Sequence, residues 1–221
     1  MKSLISSRIR PATLGCATAF LLSACATVPP PSPIEVTRFH QAEALQQTER
    51  GVFFVEFAPS IENPGLELAP YKAAVASELS TLGYEEGSRD TATTIAQISI
   101  AQFEVDRLGQ NRGPVSVGVG GRTGSFGTGV GLGIGINLGG GSRSGPQIGT
   151  ELSVSLRTAE NGVPAASNLW EGRAEVRISQ QSPESAPTST AELLASALFD
   201  EFPGNNGETI TIEPRNLEAN E

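Results

Sequence analysis

Lysine is almost absent from this chain. Lys2 and Lys72 are the only two, and 15 basic residues stand against 24 acidic ones for a net charge of -9. A nucleic-acid surface needs clustered Lys and Arg to meet phosphates, so this balance argues against such a partner. Histidine occurs once and cysteine twice, which leaves little raw material for a metal centre or for thiol chemistry. Aromatic residues are 5% of the chain, with one Trp. The apolar run Pro11 to Leu22 falls short of the roughly 20 residues that a membrane-spanning helix needs.

The sequence has 221 residues, room for one ordinary domain with appendages. Gly (25) and Pro (15) are abundant, but their excess is local, so the whole chain is not low-complexity.

The amino end reads as a targeting segment. Lys2, Arg8 and Arg10 precede the short apolar stretch, and Leu22-Ser23-Ala24-Cys25 follows it. That tetrad resembles the lipobox of bacterial lipoproteins: a branched apolar residue, two small residues that let a peptidase close on extended backbone, and a Cys whose thiolate accepts a diacylglycerol group. The resemblance implies that residues 1–24 are removed and that Cys25 becomes the lipidated first residue. Loss of three positive charges then takes the net charge from -9 to -12 and leaves no free thiol. Multi-chain lipid anchoring is lasting, since each buried CH₂ contributes about 0.8 kcal/mol. Ala26 stands where the family's inner-membrane retention signal places Asp, which favours the outer membrane, facing the periplasm. Cys16, inside the apolar run, reads as a small filler.

Residues 25–50 read as a tether. Pro29, Pro30, Pro31 and Pro33 favour stiff polyproline II, and His40 just beyond reads as a surface residue or local hydrogen-bonder. A single domain is expected over 51–204. Val52–Phe57 reads as a buried strand. Pro70–Leu82 reads as a helix stopped by Gly83, with Tyr71, Val75, Leu79 and Leu82 on its core face. Thr94–Asp106 alternates as a strand whose phase change near Ala101 suggests a bulge. Gly149–Thr158 and Leu169–Ile178 alternate cleanly, with Asn161-Gly162 as a hairpin signal between them. In the last strand Trp170, Ala174, Val176 and Ile178 oppose Glu171, Arg173, Glu175 and Arg177, and that charged face reads as a solvated, cross-paired surface. Ser189-x-x-Glu192 matches a capping box opening a helix through Phe202 that Pro203 ends. Residues 205–221 offer a short edge strand at Thr209–Glu213 and a polar tail. The expected class is α+β: a two-layer domain, mainly antiparallel, with helices on one face and a glycine-rich insert.

That insert, 113–149, holds 15 of the 25 glycines. It completes neither G-x-G-x-x-G, because Thr123 stands where the third Gly should follow Gly118 and Gly120, nor a Gly-Lys-Ser/Thr phosphate loop. A G-x-S-x-G nucleophile elbow also fails around Ser125, Ser142 and Ser144. What remains is a two-residue period. Val130, Leu132, Ile134 and Ile136 alternate with Gly131, Gly133 and Gly135, placing bulk on one face of an extended chain and bare backbone on the other. Such a segment suits a loose loop, a hairpin on its own sheet, self-association, or a membrane-crossing strand, which takes 9–11 residues.

Together these features resemble a family of bacterial lipoproteins, the domain-of-unknown-function family 4136. The resemblance is carried by Tyr71-Lys72-Ala73-Ala74-Val75 through Leu82-Gly83-Tyr84, by the glycine-rich insert followed by Gly149-Thr150-Glu151-Leu152-Ser153-Val154, and by Leu169-Trp170-Glu171-Gly172-Arg173-Ala174 with Phe199-Asp200-Glu201-Phe202-Pro203-Gly204. It covers roughly 52–204 and implies an outer-membrane or periplasmic α+β domain without an assigned activity, catalytic residues or cofactor. The expected function is a non-enzymatic binding or scaffolding lipoprotein of the envelope. It holds the membrane through its lipid, and its partner is an envelope protein or a second copy of itself. The alternatives are a pore-forming or membrane-remodelling subunit that uses the glycine-rich hairpin, and a hydrolase that pairs Glu171 with Glu151 or Glu175.

Overall fold

The structure, a computed structural model, describes residues 28–105, 111–114 (backbone only) and 146–214. Cys25 and the alternating segment 130–136 lie outside the described residues. Element order is β1 (Ile34–His40), α1 (Ala42–Gln47), β2 (Val52–Phe57), α2 (Ala69–Thr81), β3 (Glu85–Glu86), β4 (Thr94–Val105), β5 (Asn111–Pro114), β6 (Gln147–Glu160), β7 (Val163–Pro164), β8 (Trp170–Ser179), α3 (Pro187–Phe199) and β9 (Thr209–Ile212). This is an α+β chain built on one mixed sheet in the order β3-β2-β4-β6-β8-β1-β9, with β5 beside β4 and β7 beside β6.

Strand pairing is antiparallel except around β2, which runs parallel to both β3 and β4. Helix α2 is the reason. It carries the chain back from the end of β2, so the next strands start level with β2. The core lies between the sheet and the two long helices. Ala96 and Ile98 of β4, Leu152, Val154 and Leu156 of β6, and Ala174 and Val176 of β8 meet Tyr71, Val75 and Leu79 of α2 and Leu194 and Leu198 of α3 in one buried cluster.

Four local expectations are corrected. Residues 34–40 are a strand between β8 and β9 instead of tether, because Ile34 and Val36 alternate into the core and are fully buried. Helix α3 starts at Pro187, whose fixed φ and missing N–H suit a first helical position. Its N-cap is Ala186 with no side-chain cap, so the Ser189/Glu192 box is not formed, and the helix ends at Phe199. Strand β4 pairs with β6 through twelve successive residues without a bulge. Its irregularity lies instead toward β5, between Phe103 and Glu104. The change of apolar phase along β4 has another cause: Thr94 to Ile98 are buried on both faces.

Other local signals take the expected form. Asn161 and Gly162 have φ of 51° and 74° and close a two-residue turn between Glu160 and Val163. Gly83 has φ of 90°, in the left-handed region that ends α2.

Candidate functional site

Strand β2 forms the site because its pairing runs out. The carbonyl of Val52 and the N–H of Ala58 bond to the β4 side, through Thr93 and Ile98, while the carbonyls of Gly51 and Phe53 accept from Glu85 and Gly87 on the β3 side. Backbone groups alternate sides along a strand, so those of Val55 and Phe57 also point away from β4. Strand β3 covers only Val52 and Phe53. No described strand pairs beyond it, and the edge stays open from Phe54 to Phe57.

A groove of about 740 Å³ runs along this edge, lined by Phe54, Val55 and Phe57 on one side and by Ala73, Ala76 and Ser77 of α2 on the other. Pro64, Gly65 and Leu66 close one end. Leu66 is 92% exposed, an apolar side chain held in solvent at the groove's rim. Lys72 reaches from α2 with Nζ 5.4 Å from the Phe54 ring centroid and 5.8 Å from that of Phe57. The strand sends these two rings to opposite faces, so the ammonium lies across the edge between them. A cation over aromatic faces is held by about 0.5–1 kcal/mol when exposed, and a lysine on an open edge discourages indiscriminate strand pairing.

Glu56 sits on the opposite face from α2. Both its carboxylate oxygens are engaged, Oε2 by Arg89 Nε at 2.8 Å and Oε1 by Gln97 Nε2 at 2.8 Å. Burial raises its pKa, but the hydrogen bonds from Arg89 and Gln97 and the charges of Arg89 and Lys72 outweigh that and hold it below its usual range. A carboxylate so occupied is a structural group rather than a free acid or base.

The acids singled out in sequence are not brought into a cleft. Glu151 and Glu175 stand opposite each other in the β6–β8 register, on the face away from the helices. Arg173 lies 3.4 Å from Glu151 and Arg177 lies 3.2 Å from Glu175. Glu171 is exposed and accepts a hydrogen bond from Asn168. None of the three lines the groove. Among the described residues no three His, Cys, Asp or Glu side chains cluster as metal ligands, and no helix is long and apolar enough to cross a membrane.

His40 Nε2 lies 3.2 Å from the Gly204 carbonyl, while Nδ1 is buried with no partner among the described residues. Nearby, Arg38 occupies a core-facing position of β1 and is 4% exposed. It donates from Nε to the Leu198 carbonyl and from Nη2 to the Ala197 carbonyl, satisfying the last turn of α3. Burial pulls its pKa down, against the opposing charges of Asp200, Glu201 and Glu208. Trp170 stacks on Phe199 at 5.3 Å, meets Phe202 at 5.3 Å and donates Nε1–H to the Pro203 carbonyl. Trp170, Phe199, Phe202 and Pro203 therefore form one packing cluster that ties β8 to the end of α3.

Sequence reasoning placed Phe54 and Phe57 in a buried strand and Lys72 in a helix without joining them, and gave Leu66 no place. The available signal was Leu66, a large apolar residue directly after the turn Asn63-Pro64-Gly65.

No family model matches the chain. A 45-residue stretch is 40% identical to an uncharacterized protein of Zymomonas mobilis. It covers 20% of this chain and 17% of that protein's length.

Proposed function

We propose that this chain is a lipid-anchored module of a bacterial envelope. It is acylated at Cys25, faces the periplasm from the outer membrane, and binds or scaffolds another envelope component without catalysing a reaction. The anchor rests on Leu22-Ser23-Ala24-Cys25 and the preceding basic and apolar segments. The binding role rests on one observation, the open edge of β2 beside an apolar groove. An unpaired strand edge offers backbone donors and acceptors to an extended segment, and side-chain pockets beside it add selectivity. The Arg-paired placement of the half-buried Glu151 and Glu175, away from the groove, gives the hydrolase alternative no support.

The test is site-specific photocrosslinking in cells. A photoreactive residue at Ala76, which lines the groove, is expected to give a discrete adduct with an envelope protein, while one at the exposed Glu171 gives none. Equal or absent adducts at both positions would overturn the binding role.

A further inference from the structure

We propose that the open edge of β2 selects its partner by chemistry: it takes an extended segment of another protein with large aliphatic side chains on alternate residues and one Asp or Glu that pairs with Lys72. This rests on the edge of β2 as the binding site and names the kind of segment that fits it.

The aliphatic part follows from the groove's floor. The α2 residues along it include Ala69, Ala73, Ala76 and Ser77, at three- and four-residue spacing on one helix face. These are the smallest side chains after glycine, and they leave open space beside β2. The backbone groups of Val55 and Phe57 point away from β4 and bond to no described residue. A strand laid along them sends every second side chain toward α2. The small floor residues leave room there for large aliphatic groups, and such groups gain most from leaving water.

The acid follows from Lys72. Its Nζ lies at the edge, between the rings of Phe54 and Phe57. It is the sole lysine among the described residues and forms no ion pair with a described carboxylate. Glu56, whose pKa its charge helps to lower, is already held by Arg89 and Gln97. An arriving strand strips water from this ammonium. A segment with a neutral or basic side chain at that level leaves the charge desolvated and unpaired, whereas a carboxylate pairs it. The flexible four-carbon stem lets Nζ meet that carboxylate on either face of the new strand. The lysine that deters indiscriminate strand pairing thus admits one class of strand.

Charge also sets the register. Glu86 lines the same groove at the β3 end, where it pairs with Phe53. A segment that slides its acid toward β3 leaves Lys72 and approaches a like charge, so one placement along the edge is favoured. Beyond Lys72, at the opposite end of the groove, the exposed Leu66 offers an apolar contact to the segment's next aliphatic residue.

Selection from a display library tests this on the full chain carrying Cys25→Ser. The probe is a library of eight-residue segments randomised at every position. Enriched segments are expected to alternate Val, Ile or Leu with polar residues and to carry one Asp or Glu at a constant place in that pattern. Replacing this acid by its amide is expected to weaken binding to the Lys72 protein about tenfold and to leave binding to Lys72→Met unchanged. Lys72→Glu is expected to reverse the preference to Lys or Arg at the same place. The bound segment is expected to slow amide exchange at Val55 and Phe57. Enriched segments without an acid, an acid preference that survives Lys72→Met, unchanged exchange at those two amides, or no enrichment at all would each overturn the proposal. The binding role keeps its separate test at Ala76. Discrete adducts there, beside a library without acid preference, would remove selection by Lys72 and leave the binding role standing.

Discussion

Gly172 offers the sharpest test of the packing that holds this fold together. It lies on the core face of β8, where a Cβ would sit 2.4 Å from Trp170 Cη2 and 2.8 Å from Leu198 Cδ1. Real Cβ atoms do not approach this closely, so the indole or α3 must move. The indole has little freedom, because it stacks on Phe199 and donates to the Pro203 carbonyl at 3.1 Å. Forced overpacking costs about 1–3 kcal/mol, and loss of the indole hydrogen bond adds about 1 kcal/mol. Replacing glycine in a strand returns roughly 0.5–1 kcal/mol of backbone entropy. Gly172→Ala is therefore expected to destabilise by about 1–3 kcal/mol net, a fall in Tm of roughly 3–10 °C for a domain of this size. Urea and thermal unfolding followed by fluorescence read this directly, since Trp170 is the only tryptophan. A Gly172→Ala protein within about 0.5 kcal/mol of wild type would refute the claim that the indole fills the space at position 172.

Further predictions concern buried charge and titration. Arg38→Met leaves the Ala197 and Leu198 carbonyls without their donors and is expected to cost about 1.5–3 kcal/mol in denaturant unfolding. Arg38→Lys should recover less than half of that, because an ammonium does not supply the same fork. Glu56 has a depressed pKa in the folded protein, so its contribution is present above its unfolded value, about 4.3, and is lost as pH falls through the folded one. Glu56→Gln should flatten that acid limb of the stability–pH curve, and an unchanged limb would show that Glu56 does not drive it. Burial pushes the Tyr71 hydroxyl up to about 12. Stability from this group is complete below about pH 10, its unfolded pKa, and declines as pH rises toward the folded value. The hydroxyl lacks a hydrogen-bond partner among the described residues, so Tyr71→Phe should be neutral or stabilising and should remove the alkaline decline. A loss above about 1 kcal/mol would instead show a bond, with Gln102 the adjacent group.

Much of the fold was legible because its strongest signals are periodic and local. Helix α2 lies within a residue of its expected bounds, since Pro70 and Gly83 mark its ends and Tyr71, Val75 and Leu79 repeat on one face. Strands β6 and β8 follow from strict alternation of apolar and polar residues. Strand β1 was hidden for two reasons. Four prolines precede it, and its third inward position holds Arg38, a charge in a core place whose partners belong to the end of α3. The parallel pairing of β2 depends on how α2 returns the chain, which no local pattern encodes. The groove was invisible for a related reason. Phe54, Phe57, Lys72 and Leu66 gain a common role only once β3 stops after two residues and leaves β2 open.

The proposed envelope role stands first on the lipid anchor. Cells expressing the full chain and fed radiolabelled palmitate are expected to incorporate label into this protein and to hold it in the outer-membrane fraction, with both results abolished by Cys25→Ser. An unlabelled wild-type protein recovered in the soluble cytosolic fraction would contradict the proposed envelope role.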